Sequence, residues 1–164
     1  MQPITQQGAV TGGLLAAINA NFAQVFPTQG NTYWVLPRTG SDSNDGLSPL
    51  TPFATLRKAL QAATANQNDV VYLCAQGNTA SQTTDYQTSN LDWNKNLVHL
   101  IGINGAGFIG QRSRISNRGA SASFADLFTV SANGCLIQNI EFFQGAGSDT
   151  LSAAQSAVKV SGQR

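Results

Sequence analysis

At 164 residues the chain suits one domain with a sizeable core. Only 10% of residues are charged and the formal net charge is +1, so the basic footprint of a nucleic-acid binder or of a protein lying on anionic lipid is missing. Polarity comes from Gln, Asn, Ser and Thr instead, which ladder between stacked strands without like-charge repulsion; no apolar run is long enough to span a membrane, and the opening residues do not read as a signal peptide.

The first thirty residues differ from the rest. MQPITQQGAVTGG is polar and unpatterned and reads as an arm that orders against a partner. Leu14, Leu15, Ile18, Phe22, Val25 and Phe26 then form one helical stripe that Pro27 ends. A helix of about three turns is marginal alone. Its apolar face needs cover, either from its own domain or from another protein, with PTQGNT (27–32) as the hinge.

Residues 33–60 organise the chain: a strand (Tyr33 to Leu36), the turn cluster GSDSNDG (40–46), then a helix. Thr51 is expected to cap this helix, with Pro52 at its first position and Phe53, Leu56, Leu60 and Ala63 on its apolar face. The ordered sequence of aromatic strand, GSDSNDG and SPLTPFATLRKAL resembles the opening of right-handed parallel β-helix proteins of the pectate-lyase-like class. The resemblance implies an all-β, right-handed parallel β-helix (solenoid), here with an N-terminal anchor helix and a short capping helix. Residues 1–30 would be the arm and anchor, and 31–164 the cap and first rungs. INANFAQVF (18–26) is similar to N-terminal segments of phage fibre and virion proteins, where such a helix precedes a β-helical body.

Asn66 to Asp69 reads as a turn and VVYLCA (70–75) as a strand, followed by a polar loop over 76–90 and a strand over 91–103. Val71 and Leu73 recur as Val98 and Leu100, a separation that suits one rung. CLIQNIEFF (135–143) reads as two strand pieces with Asn139 at a left-handed bend, and Val160 opens another rung after that of Ile137. The sequence is expected to stop in mid-rung, so that either another chain covers this end or, the favoured expectation, these residues are the N-terminal part of a longer protein.

Several constellations bear on chemistry. Gly105-x-Gly107-x-x-Gly110 follows a strand, but QRSRISNRGAS after it has no helical stripe to hold a pyrophosphate, so no cofactor is expected. Arg112, Arg114 and Arg118 are a basic cluster suited to an anion or to a subunit contact, against the plainer alternative of pairing with nearby acids. Asp69 with Asp92, and Asp126 with Glu141, lack the clustering and aromatic platforms of a glycosidase cleft. Asp42 to Gly46 departs from the calcium-loop pattern, and the lone His99 reads as a solvent-face strand residue, so neither a metal nor a catalytic residue is assigned. Cys74 and Cys135 read as buried free thiols.

The resemblances imply a non-enzymatic structural protein of a bacteriophage virion, a capsid decoration or head fibre. It would be made in the host cytoplasm and anchored by its N-terminal segment, most naturally on the major capsid protein. A homotrimer is implied by the family alone. The alternative is a tailspike-type protein that binds or depolymerises a bacterial surface polysaccharide.

Overall fold

The computed structural model describes residues 30–75, 84–104, 112–117, 124–144 and 156–162. The expected anchor residues Leu14, Leu15, Ile18, Phe22, Val25 and Phe26 lie outside these, as do Gly105 to Gly110 and Arg118. Among the described residues there are ten strands and one helix: β1 (Thr32–Val35), α1 (Leu56–Ala62), β2 (Val70–Cys74), β3 (Thr84–Gln87), β4 (Leu91–Trp93), β5 (His99–Ile103), β6 (Arg114–Asn117), β7 (Asp126–Val130), β8 (Ile137–Gln138), β9 (Glu141–Phe143) and β10 (Ser156–Val160).

All pairings between these strands are parallel, in three sheets ordered β1-β2-β5-β8, β3-β6-β9 and β4-β7-β10. From β2 onward the chain therefore visits the first, second and third sheet in turn and then returns to the first. The fold is all-β, with parallel sheets and one short helix.

Side chains alternate between the two faces of a strand, and one face of each sheet supplies the core. Val71, Leu73 and Leu100 point inward from the first sheet, Ile115 from the second, and Leu91, Trp93 and Phe128 from the third; all are essentially fully buried. Each such side chain contributes roughly 1.5–3 kcal/mol by leaving water. Trp93 packs in a tilted arrangement against Phe128 (centroids 5.9 Å) and Phe128 against Phe142 (5.0 Å), which joins the third sheet to the second through aromatic rings. The indole N–H of Trp93 donates to the Val98 carbonyl at 2.8 Å, so its one polar atom is satisfied inside the core.

Helix α1 packs on this core through Leu56, Ala59 and Leu60, with Phe53 and Ala63 buried beside it. Its N-cap is Thr55, whose hydroxyl accepts from the Lys58 N–H at 3.1 Å. The cap expected at Thr51 is thus displaced to Thr55. Phe53 bridges in parallel fashion to Val35, which holds the chain extended there, and the Thr51 hydroxyl donates to Asp45 instead.

Pairing in the first sheet corrects the expected period. Val71 pairs with Leu100 rather than Val98, and Leu73 with Gly102 rather than Leu100. The sequence reading kept the correct face, because a slip from Leu100 to Val98 preserves strand parity. Ile137 and Val160 do not share a rung face, since β8 and β10 belong to different sheets. The single strand expected over 91–103 is two, β4 and β5, with a corner between them.

That corner recurs. Asn68, Leu97 and Gly134 hold φ of 57°, 55° and 68°, and the register of the first sheet makes them equivalent positions. Three successive turns of the chain thus use one left-handed backbone step with three different residue types. Asn139, also at φ 55°, makes the bend between β8 and β9. Gly102 allows it: a Cβ there would lie 1.9 Å from the Asn139 carbonyl oxygen.

Candidate functional site

Seven of the eight acidic residues fall in the described chain, and each is bonded to the chain's own donors. Asp42 accepts from the Ala54 and Thr55 N–H groups and the Thr55 hydroxyl, so it holds the start of α1. Asp45 accepts from the Thr51 hydroxyl and the Leu47 N–H, and these bonds hold its carboxyl below the usual range. The turn cluster therefore commits both carboxylates to its own segment and to the helix start. Fully buried Asp69 accepts from the Asn31 and Thr64 N–H groups, both at 2.6 Å, which ties the entry of β1 to that of β2. Asp92 accepts from the Ser131 hydroxyl (2.6 Å), and Asp126 from the Ser156 hydroxyl (2.6 Å) and Lys159 (3.2 Å).

Asp85 is the acid that sequence reasoning missed. It lies on β3, within the stretch expected to be a structureless polar loop. It is 2% exposed, and its Oδ2 accepts from the Leu56 N–H at the start of α1 (3.1 Å) and from Gln87 Nε2 (2.7 Å). Burial pushes its carboxyl up to about 6, against the opposing pull of the Leu56 N–H. Arg57 does not pair with it directly but donates to Gln87 Oε1, Ser89 and the Asn90 carbonyl. The alternation of Thr-Asp-Tyr-Gln was a strand signal, disguised because the inward residues are polar.

Neither acid pair considered above meets on one sheet: Asp92 and Asp126 belong to β4 and β7 of the third, Glu141 to β9 of the second, and Asp69 precedes β2 of the first. The arginine cluster, by contrast, is partly assembled. Arg112 and Arg114 both contact Glu141, at 3.2 Å each. They sit at the second sheet, Arg114 opening β6 and Arg112 just before it. Arg114 also lies over the Phe143 ring, 5.8 Å from its centroid. Phe143 and Tyr86 are exposed large side chains of this sheet. Outward residues of the second sheet are therefore the candidate site: two arginines, one glutamate and two aromatic rings.

His99 is half-buried rather than on open solvent. Its Nδ1 accepts from the Leu136 N–H at 3.1 Å, which makes Nε2 the protonated nitrogen, facing Asn68 Oδ1 at 3.3 Å. Burial lowers its pKa. Cys74 and Cys135 are free and half-buried, and burial raises the Cys74 thiol to about 11, far from the thiolate that reactive chemistry needs. Compared with family models, curated proteins and solved structures, the chain matches none.

Proposed function

We propose that the three sheets form a right-handed parallel β-helix, and that this is the projecting body of a bacteriophage virion structural protein of the capsid-decoration or head-fibre type. Residues 1–30 would anchor it to the major capsid protein, with the body assembled as a homotrimer. The observation that carries the reading is the use of the acidic side chains. Every described carboxylate joins one turn of the chain to another or secures the helix and the turn before it, so the chain's acids work as fasteners of an elongating stack. The cyclic visiting of three parallel sheets supports the coiled architecture, and parallel connections are overwhelmingly right-handed because a right-twisted strand packs back only that way.

The test is removal of residues 1–26 followed by assembly in the presence of capsid components. The shortened protein should fold, with an unchanged far-UV circular dichroism spectrum over its β region, yet fail to join particles. Incorporation of the shortened protein at the normal level would overturn the anchor assignment. A reconstruction of intact particles then places the protein on the capsid lattice or at the tail, and a tail position would replace the decoration reading with the tailspike one.

A further inference from the structure

We propose that His99 is an acid-sensitive latch: protonation of its ring releases the short strand β8 from β5 while the rest of the stack stays paired. The imidazole joins three successive turns of the chain. It belongs to the middle one, Asn68 to the turn before and Leu136 to the turn after. Only the neutral ring fits between these partners. Nδ1 accepts from the Leu136 N–H at 3.1 Å and Nε2 lies 3.3 Å from Asn68 Oδ1, so one nitrogen accepts while the other donates. An imidazolium has two donors and no acceptor. Its Nδ1–H would meet the Leu136 N–H donor to donor, so that bond is lost while the one to Asn68 survives.

The attachment that depends on this bond is the slightest in its turn. β8 has two residues, against three in β9 and five in β10, and it pairs with β5 only at Leu100↔Ile137 and Ile101↔Gln138. Leu136 enters β8 bonded to the β5 segment at both main-chain groups, its N–H to the His99 ring and its carbonyl to the Leu100 N–H (2.8 Å). Protonation breaks the first of the two. β9 and β10 keep their own ladders on β6 and β7, and His99 is the chain's single histidine, so the release is confined to β8.

Four other titratable groups surround the ring, and among the described residues none bonds it. From the turn before β2, Asp69 gives its carboxylate to the Asn31 and Thr64 N–H groups. Lys95, just before β5, gives its ammonium to the Gln61 and Ala63 carbonyls. Tyr72 on β2 and Cys135 before β8 are both pushed up by burial, so they stay neutral throughout the acid range. Burial of the ring itself lowers its pKa from 6.5. The unfolded chain therefore takes the proton first, and the contribution of the latch is full above about pH 6.5 and lost as pH falls below it. Asp85, on β3 at the start of α1, has the opposite sign, so overall stability mixes the two and local exchange separates them.

The proposal goes beyond the virion reading and does not depend on it, because the measurement is made on the free 164-residue chain. Long-range proton–nitrogen spectra follow the one histidine from about pH 7.5 to about pH 5, while amide exchange is read as protection factors over the same range. Nδ1 should be the unprotonated nitrogen at the upper limit. As the ring titrates, protection at Leu136 and Ile137 should fall roughly tenfold, with Tyr72 and Leu73 on β2 unchanged. His99→Asn offers an acceptor that does not titrate and should keep Leu136 protected at both limits; His99→Leu should leave it unprotected at both. The latch is overturned if Leu136 keeps its protection through the ring's titration, or if β2 loses protection in step with β8. It is equally overturned if His99→Asn shows the parent's acid loss, which would assign the effect to another group. Should either variant fail to fold, the parent's own titration still decides.

Discussion

Two single residues carry more of the structure than their types announce. Leu97 holds a left-handed backbone at φ 55°, which costs an ordinary side chain roughly 1–2 kcal/mol and asparagine less. At an ordinary half-buried position Leu→Asn destabilises by about 1 kcal/mol or more. Here Leu97→Asn should leave the melting temperature unchanged or raised, while Leu97→Val, β-branched and worse in that region, should lower it; thermal melts of the three proteins rank them. Asp85 is the second. Its folded pKa of about 6 lies above the ordinary 3.8, so the folded state holds the proton more tightly than the unfolded one. Its contribution is therefore most favourable below about pH 4 and is lost as pH rises through about 6. Asp85→Asn keeps an acceptor for the Leu56 N–H without a buried charge. It should stabilise the protein at pH 7.5 by on the order of 1–3 kcal/mol, and flatten the part of the pH dependence between 4 and 7 that urea titrations attribute to this group.

Among the elements, legibility in the sequence follows how apolar the inward positions are. VVYLCA and CLIQNIEFF were readable because Val71, Leu73, Ile137 and Phe142 mark the buried face, and Asn139 was readable as a bend because asparagine tolerates left-handed angles. β3 was not, since its inward residues are Asp85 and Gln87, and Asp85 is satisfied by the distant Leu56 N–H, which no local window can supply. The outward site was half legible: Arg112 and Arg114 stood out in a cluster with Arg118, but Glu141 comes to the first two only through the register of β6 with β9. Helix α1 was placed but its cap was not. Asp42 reaches from the turn cluster to the Ala54 and Thr55 N–H groups, so part of the capping lies well before the helix rather than beside it. Asp42→Ala removes three acceptor contacts at once and should cost about 1–2 kcal/mol, with little change in the m-value; a urea unfolding curve reads both.

For the whole molecule, burial is graded along the stack. The inward column of the third sheet runs from Trp93, fully buried, through Val130 at 8% to Val160 at 73% exposed. Amide exchange should follow this gradient, with β5 and β7 most protected and β10 least; uniform protection across the three would contradict it. The left-handed corners at Asn68, Leu97 and Gly134 have a further consequence. Because the step is set by backbone geometry and not by one residue type, Asn68 and Leu97 are matching joints, and in the proposed β-helix the stretch between them would be one repeating module. Copying that module in tandem should yield a protein taller by one strand spacing, roughly 4.8 Å, with the same cross-section, so that the body's length becomes a quantity set by counting modules.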